Sequence, residues 1–174
     1  MIGLKFLGKI IKAIKSASSP SQIAGGFILG MLIGLVSLRS LLSAAVAILI
    51  ILLNVNVAMA VAGYALFRLI AWGVDPWLHS LGYIILVDLG PLQAAWSYLY
   101  NIPFVSFTRF NNTIVMGSFA VSIAISVPLF LLIKRFVVLY RERWQEKIQR
   151  WKVVQVVKGS RLFEWVGRIS RIGA

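Results

Sequence analysis

Apolar residues run almost unbroken from Ile23 to Ile133, and the polar positions that interrupt them fall at only a few points. A helix on the surface of a soluble domain needs a water-facing side, and this pattern offers none over most of its length. The interruptions predict the elements. Ser19-Pro20-Ser21-Gln22 reads as a helix start, with Ser19 as cap, Pro20 at the first position and Gln22 closing a capping box. The helix that follows, to about Val36, carries Gly26, Gly30 and Gly34 at four-residue spacing, a smooth row that predicts close approach of another helix. From Gln22 to Val36 is about 22 Å of helix, short of a hydrocarbon core of about 30 Å, and Leu41–Leu53 is shorter still. With Arg39 between them, the two pieces predict a helical hairpin over 19–53, either re-entrant or spanning. Asn54 and Asn56 punctuate the chain before a span over 54–72. In the outer interfacial segment 73–110, Asp75-Pro76 predicts a new helix start, Gly90-Pro91 a break and Asn101-Ile102-Pro103 an end. Asn111 or Asn112 caps a last span over 111–135, whose apolar body is Ile114–Ile133.

The two ends differ from this middle. Residues 1–18 predict a basic amphipathic surface helix, with Lys5, Lys9 and Lys12 on one side and Leu4, Leu7, Ile11 and Ile14 on the other. Those lysines interrupt what a cleavable signal peptide keeps continuously apolar. Over 136–174, Val137, Trp144 and Trp151 recur at seven residues among Arg141, Arg143, Lys147, Arg150 and Lys152. Beyond Gly159, Trp165 joins Leu162, Val166, Ile169 and Ile172 on one face. These are two basic amphipathic helices suited to a membrane surface or a partner helix. The fold class expected is therefore an all-α integral membrane protein. It combines a short Gly-rich hairpin, two full transmembrane helices and amphipathic interfacial helices at both termini.

Composition sharpens the picture. Of 174 residues, 60% are hydrophobic and 13% charged, whereas a soluble domain is about half apolar and a quarter charged. Four of the 18 basic residues precede Ser16 and eleven follow Ile133, against three between. Lysine and arginine mark the cytoplasmic side, so both termini are expected there, with two or four crossings. A reading that fuses Leu41–Phe67 into one span strands those eleven residues outside. Trp72, Trp77, Tyr83, Trp96, Tyr98 and Tyr100 supply the outer segment with rings favoured at headgroup depth.

Little chemistry is legible. There is no cysteine, which excludes disulfides and thiolate sites. His79 is the single histidine; Asp75 lies one turn before it, but no nucleophile motif accompanies them, and one histidine with scattered aspartates makes thin support for a metal. No cofactor is expected. The formal charge of +13 is accounted for by orientation and anionic lipid, not by nucleic acid. The polar groups within apolar sequence, Arg39, Asn54, Asn56, Asp88 and Arg109, are the candidates for lipid or ion contact.

Ser19-Pro20-Ser21-Gln22-Ile23-Ala24-Gly25-Gly26-Phe27 with Gly30 and Gly34, followed by Asn54-Val55-Asn56, resembles a family of small bacterial inner-membrane proteins of unknown function. The same domain is appended to some glycosyltransferases. Phe110-Asn111-Asn112-Thr113-Ile114-Val115-Met116-Gly117-Ser118 resembles one subgroup, so the similarity covers roughly 18–135. The family usually has proline where this chain has Ser37. The resemblance implies an inner-membrane location and supplies no catalytic residues. Subgroup members are encoded beside a larger protein with one membrane anchor, which implies a shared envelope complex. The expected function is a non-enzymatic inner-membrane subunit of such a complex, one that handles lipids, in contact with membrane lipids and with that larger protein or a second copy. The alternative is a small oligomeric transporter or lipid-translocating protein that uses the Gly-rich hairpin.

Overall fold

The computed structural model describes residues 18–36 and 40–144, which are helices and turns with no strand among them. We label the helices α1 (Pro20–Val36), α2 (Leu41–Leu52), α3 (Val57–Tyr83), α4 (Gly90–Tyr100) and α5 (Thr113–Leu139). A π-helical turn, Ile84–Asp88, extends α3, a 3-10 turn, Val105–Thr108, lies between α4 and α5, and a second π-helical turn, Tyr140–Trp144, follows α5. The termini expected to be amphipathic, with Lys5, Lys9, Lys12, Trp151 and Trp165, lie outside the described residues, as does Arg39. Two helical stretches, Val57–Asp88 and Thr113–Glu142, are long and apolar enough to cross a membrane.

The start of α1 is a complete capping box. The Gln22 N–H donates to Ser19 Oγ at 3.2 Å, and the Ser19 N–H donates to Gln22 Oε1 at 2.8 Å. From there α1 runs beside α3 in the same direction. A Cβ at Gly26 would strike the Asn56 carbonyl, one at Gly30 the Ala60 carbonyl, and one at Gly34 would lie 2.8 Å from the Tyr64 carbonyl oxygen. The two sets of numbers rise together, so the helices are parallel. Gly63 answers from α3, where a Cβ would overlap the Phe27 carbonyl. Real Cβ atoms do not approach backbone so closely, and only glycine lets the helices meet here. The row is thus filled by α3 of the same chain, which makes it a folding surface and not a free one.

The register along α3 also sets the reach of the hairpin. Gly34, near the end of α1, lies beside Arg68, less than halfway along the stretch Val57–Asp88. Gln22 Nε2 donates to the Asn54 carbonyl at 3.1 Å, bringing the residues just beyond α2 back to the start of α1. α1 therefore rises beside the first half of α3, and α2 returns against α1 and touches the Val105–Thr108 turn.

The sequence reading placed a break at Asp75-Pro76, ending a span at Trp72. The structure differs: α3 continues through Pro76 to Tyr83, and Asp75 is an interior helical residue with no capping role. Pro76 has no N–H for the Trp72 carbonyl, a loss a helix interior tolerates only with outside support. That support comes from α5, which runs antiparallel across this half of α3. A Cβ at Gly82 would overlap the Thr113 carbonyl, and one at Gly117 the Leu78 carbonyl. Tertiary contact overrides the local start signal. Between the two glycine contacts lies the core of Ile28, Met31, Leu35, Ala71 and Leu78, with Val121, Ile125 and Leu129 of α5 packed against it.

These contacts generate a paired test. Gly30→Ala inserts a methyl group into backbone, and overpacking costs about 1–3 kcal/mol. Around Gly73 nothing lies within 4 Å, so Gly73→Ala brings only the helix preference of alanine, up to about 1 kcal/mol. Thermal unfolding in detergent, followed by circular dichroism, should show Gly30→Ala lowering the midpoint and Gly73→Ala leaving it level or raising it.

Candidate functional site

Polar groups gather at the two ends of the glycine-packed helices. At the first end, Asn54 adopts a left-handed backbone (φ 49°) that turns the chain from α2 towards α3. Asn56 then caps α3, its Oδ1 accepting the Met59 N–H at 3.0 Å while its Nδ2 donates to Ser18 Oγ at 3.0 Å. Its own N–H donates to the Gln22 carbonyl at 3.1 Å. Two parallel helix N-termini are thereby tied side by side. The sequence reading grouped Asn54 and Asn56 with possible lipid or ion contacts; both amide ends of the Asn56 side chain are instead committed to this junction.

At the other end, His79 Nδ1 and Thr113 Oγ1 share a hydrogen bond between α3 and the first residue of α5. Of the two caps considered for α5, Asn112 is the one used: its Oδ1 accepts the Val115 N–H at 3.2 Å. Asp75 lies one turn from His79 on α3. His79 is bonded to a threonine, a partner that joins two helices.

The segment between α3 and α5 is built from aromatic rings and side-chain bonds to backbone. Trp96 Nε1 donates to the Ile85 carbonyl at 3.1 Å and Gln93 Nε2 to the Val87 carbonyl at 2.7 Å, so α4 supplies donors to the π-helical turn. Phe104 (φ 71°) and Arg109 (φ 58°) flank the 3-10 turn in left-handed conformations that side chains disfavour by about 1 kcal/mol or more each. Ser106 Oγ donates to the Tyr100 carbonyl at 2.8 Å, holding this turn against α4. Asp88 and Arg109 are exposed, and among the described residues no ion pair joins them. Trp144 ends the π-helical turn that follows α5.

Several residues escaped the sequence reading. Gly63, Gly82 and Gly117 are single glycines in apolar runs, without the repeated spacing that exposed Gly26, Gly30 and Gly34. Ser118 and Ser122, one turn apart on α5, are fully buried and their hydroxyls have no partner among the described residues. A serine within a membrane-type helix gives no signal of which way it faces.

Comparison with known proteins adds one relative. The chain is 26% identical over 159 residues to an uncharacterized protein of Treponema pallidum (strain Nichols), covering 91% of this chain and 98% of that protein. No protein-family model matches the chain, and no solved structure matches it.

The junction at Asn56 is testable. Asn56→Ala removes a cap and the bond to Ser18, and cap removal alone costs about 0.5–2 kcal/mol. Asn56→Asp keeps the capping oxygen and accepts from the Ser18 hydroxyl in place of donating to it. Denaturation of the purified variants should place both wild type and Asp above Ala; an alanine variant as stable as wild type would mean the tie is not made.

Proposed function

We propose that this chain is an inner-membrane protein that serves as a non-enzymatic subunit of an envelope complex, in contact with lipid and with a larger membrane-anchored partner. One observation carries the membrane part of this reading. Only 28% of the most apolar stretch of each long helix is buried, while a helix in the core of a soluble protein is mostly buried. The outward side chains are large and apolar: Leu69 is 75% exposed, Trp72 90% and Val127 65%. In water such a surface would cost about 25 cal/mol per Å² of apolar area, and lipid removes that cost.

In this reading α3 and α5 are the two spans, and residues 84–112 lie at the outer face. The hairpin α1–α2 enters from the cytoplasmic side; its register on α3 ends near Arg68, and α2 meets the Val105–Thr108 turn of the outer segment. Lys134 and Arg135, exposed near the end of α5, then lie with both termini on the cytoplasmic side. Glycine zipper is a fitting description of α1 on α3, and it acts within one chain. The partner must therefore use other surfaces, of which the outer segment and the basic ends are the candidates. The short hairpin beside a span also supports the transporter reading, since broken helices are how membrane carriers build sites.

The absence of cysteine makes orientation simple to test. In whole cells with a permeable outer membrane, Asn111→Cys should react with a membrane-impermeant maleimide, and Gly173→Cys only after lysis. The reverse pattern, or extraction of the protein by alkaline carbonate, would contradict the topology or the membrane location respectively. Purification in mild detergent should bring a stoichiometric larger protein. A homo-oligomer without one would favour transport.

A further inference from the structure

The outer segment folds back on itself around a shallow, largely open cleft of about 450 Å³. Its wall is aromatic. Trp96 and Tyr100, one turn apart on α4, lie 6.3 and 6.5 Å from the ring of Phe110, which arrives from the loop before α5. Trp96 is fixed in place by its bond to the Ile85 carbonyl. Leu86 and Val87 complete the apolar lining.

The polar groups at this wall are neutral. Asn101 Nδ2 donates to the Ser97 carbonyl at 2.8 Å, which leaves Oδ1 as an acceptor. Asn111 is exposed and its amide has no partner among the described residues, so it offers both a donor and an acceptor. No charged residue lines the cleft.

Rings beside free amides, without charge, select among ligand classes. An acyl chain would cover the amides and leave them unsatisfied, at a cost. A phosphate needs cations or a row of backbone donors. A quaternary ammonium group needs to be enclosed by aromatic faces or balanced by a carboxylate. A pyranose meets both features: its C–H face, slightly positive, lies on the negative face of an aromatic ring, and its hydroxyls both give and accept hydrogen bonds. In the same segment Tyr98, Phe104 and Phe107 are 71%, 73% and 67% exposed. Such rings belong at headgroup depth, which favours a sugar held by lipid over one free in water.

We propose that this cleft binds the neutral sugar headgroup of a glycolipid in the outer leaflet, stacked on Trp96 and Tyr100 and hydrogen-bonded by Asn101 and Asn111. The assignment rests on the membrane reading above. The test uses the full-length protein in phosphatidylcholine nanodiscs doped with monoglucosyldiacylglycerol or with chain-matched diacylglycerol, and lipid retention is read by native mass spectrometry. The glucosyl lipid should be retained saturably and the diacylglycerol not. Asn111→Ala, which alters an exposed side chain without internal bonds, should weaken retention roughly fivefold, the loss of one hydrogen bond. Tyr100→Leu should weaken it further with helical content unchanged. Equal retention of both lipids, or retention indifferent to Asn111→Ala, would overturn the proposal. Equal binding of free methyl β-glucopyranoside would overturn its lipid part. Protein that stays out of the discs in soluble form would overturn the membrane reading itself, a result separate from failure of the cleft.

Discussion

Backbone-to-backbone contact, possible only at glycine, is the constraint from which the rest of this architecture follows. α3 is the common partner of α1 and α5, and it meets each where a Cβ would strike a carbonyl. In lipid, the medium proposed above for these helices, apolar side chains gain nothing by leaving one apolar medium for another, so helix pairing depends on close packing and weak Cα–H···O contacts. Removing side chains from the seam brings the backbones near enough for both. The core of Ile28, Met31, Leu35, Ala71 and Leu78 fills the space between the two seams.

This constraint explains features that otherwise look unrelated. α1 is short, yet it is the most enclosed helix described, with Ile23, Ala24 and Met31 at 0% exposure. Its place against α3 requires their N-termini to lie side by side, and the junction of Ser18, Gln22, Asn54 and Asn56 satisfies the donors that this arrangement would otherwise leave open. The second seam holds α3 together past Pro76, so the helix continues to the segment that forms the cleft. The proposed cleft lies at that end, and the glycine contacts position the helices that lead to it.

Much of the helical plan was legible from the sequence because its signals are local. The Ser19–Gln22 box, the Asn54–Asn56 interruption, the end at Asn101 and the cap before Thr113 depend on residues within a turn of one another. The partner of the glycine row was not legible: Gly26, Gly30 and Gly34 advertise a close contact without saying which helix makes it. Asp75-Pro76 misled for the opposite reason. It is a sound local start signal overruled by Gly82 and Gly117, residues with no local pattern at all. The aromatic cleft was unreadable as a site, because Trp96, Tyr100 and Phe110 come together only through the turns at Leu89 and Phe104–Arg109.

The central claim, that α1 lies beside the entry to α3 within one chain, can be tested by a single cross-link. A Cβ at Gly25 would lie 3.3 Å from Val55 Cγ1 and more than 4 Å from Val55 Cβ, toward the long end of the about 3.5–4.5 Å between the Cβ atoms of a disulfide. In a protein that has no other cysteine, Gly25→Cys with Val55→Cys should oxidise in native membranes to an intramolecular disulfide, read as a monomer of altered mobility that reverts on reduction. Disulfide-linked dimers alone, or no bond under mild oxidant, would contradict the account and place another surface against the glycine row.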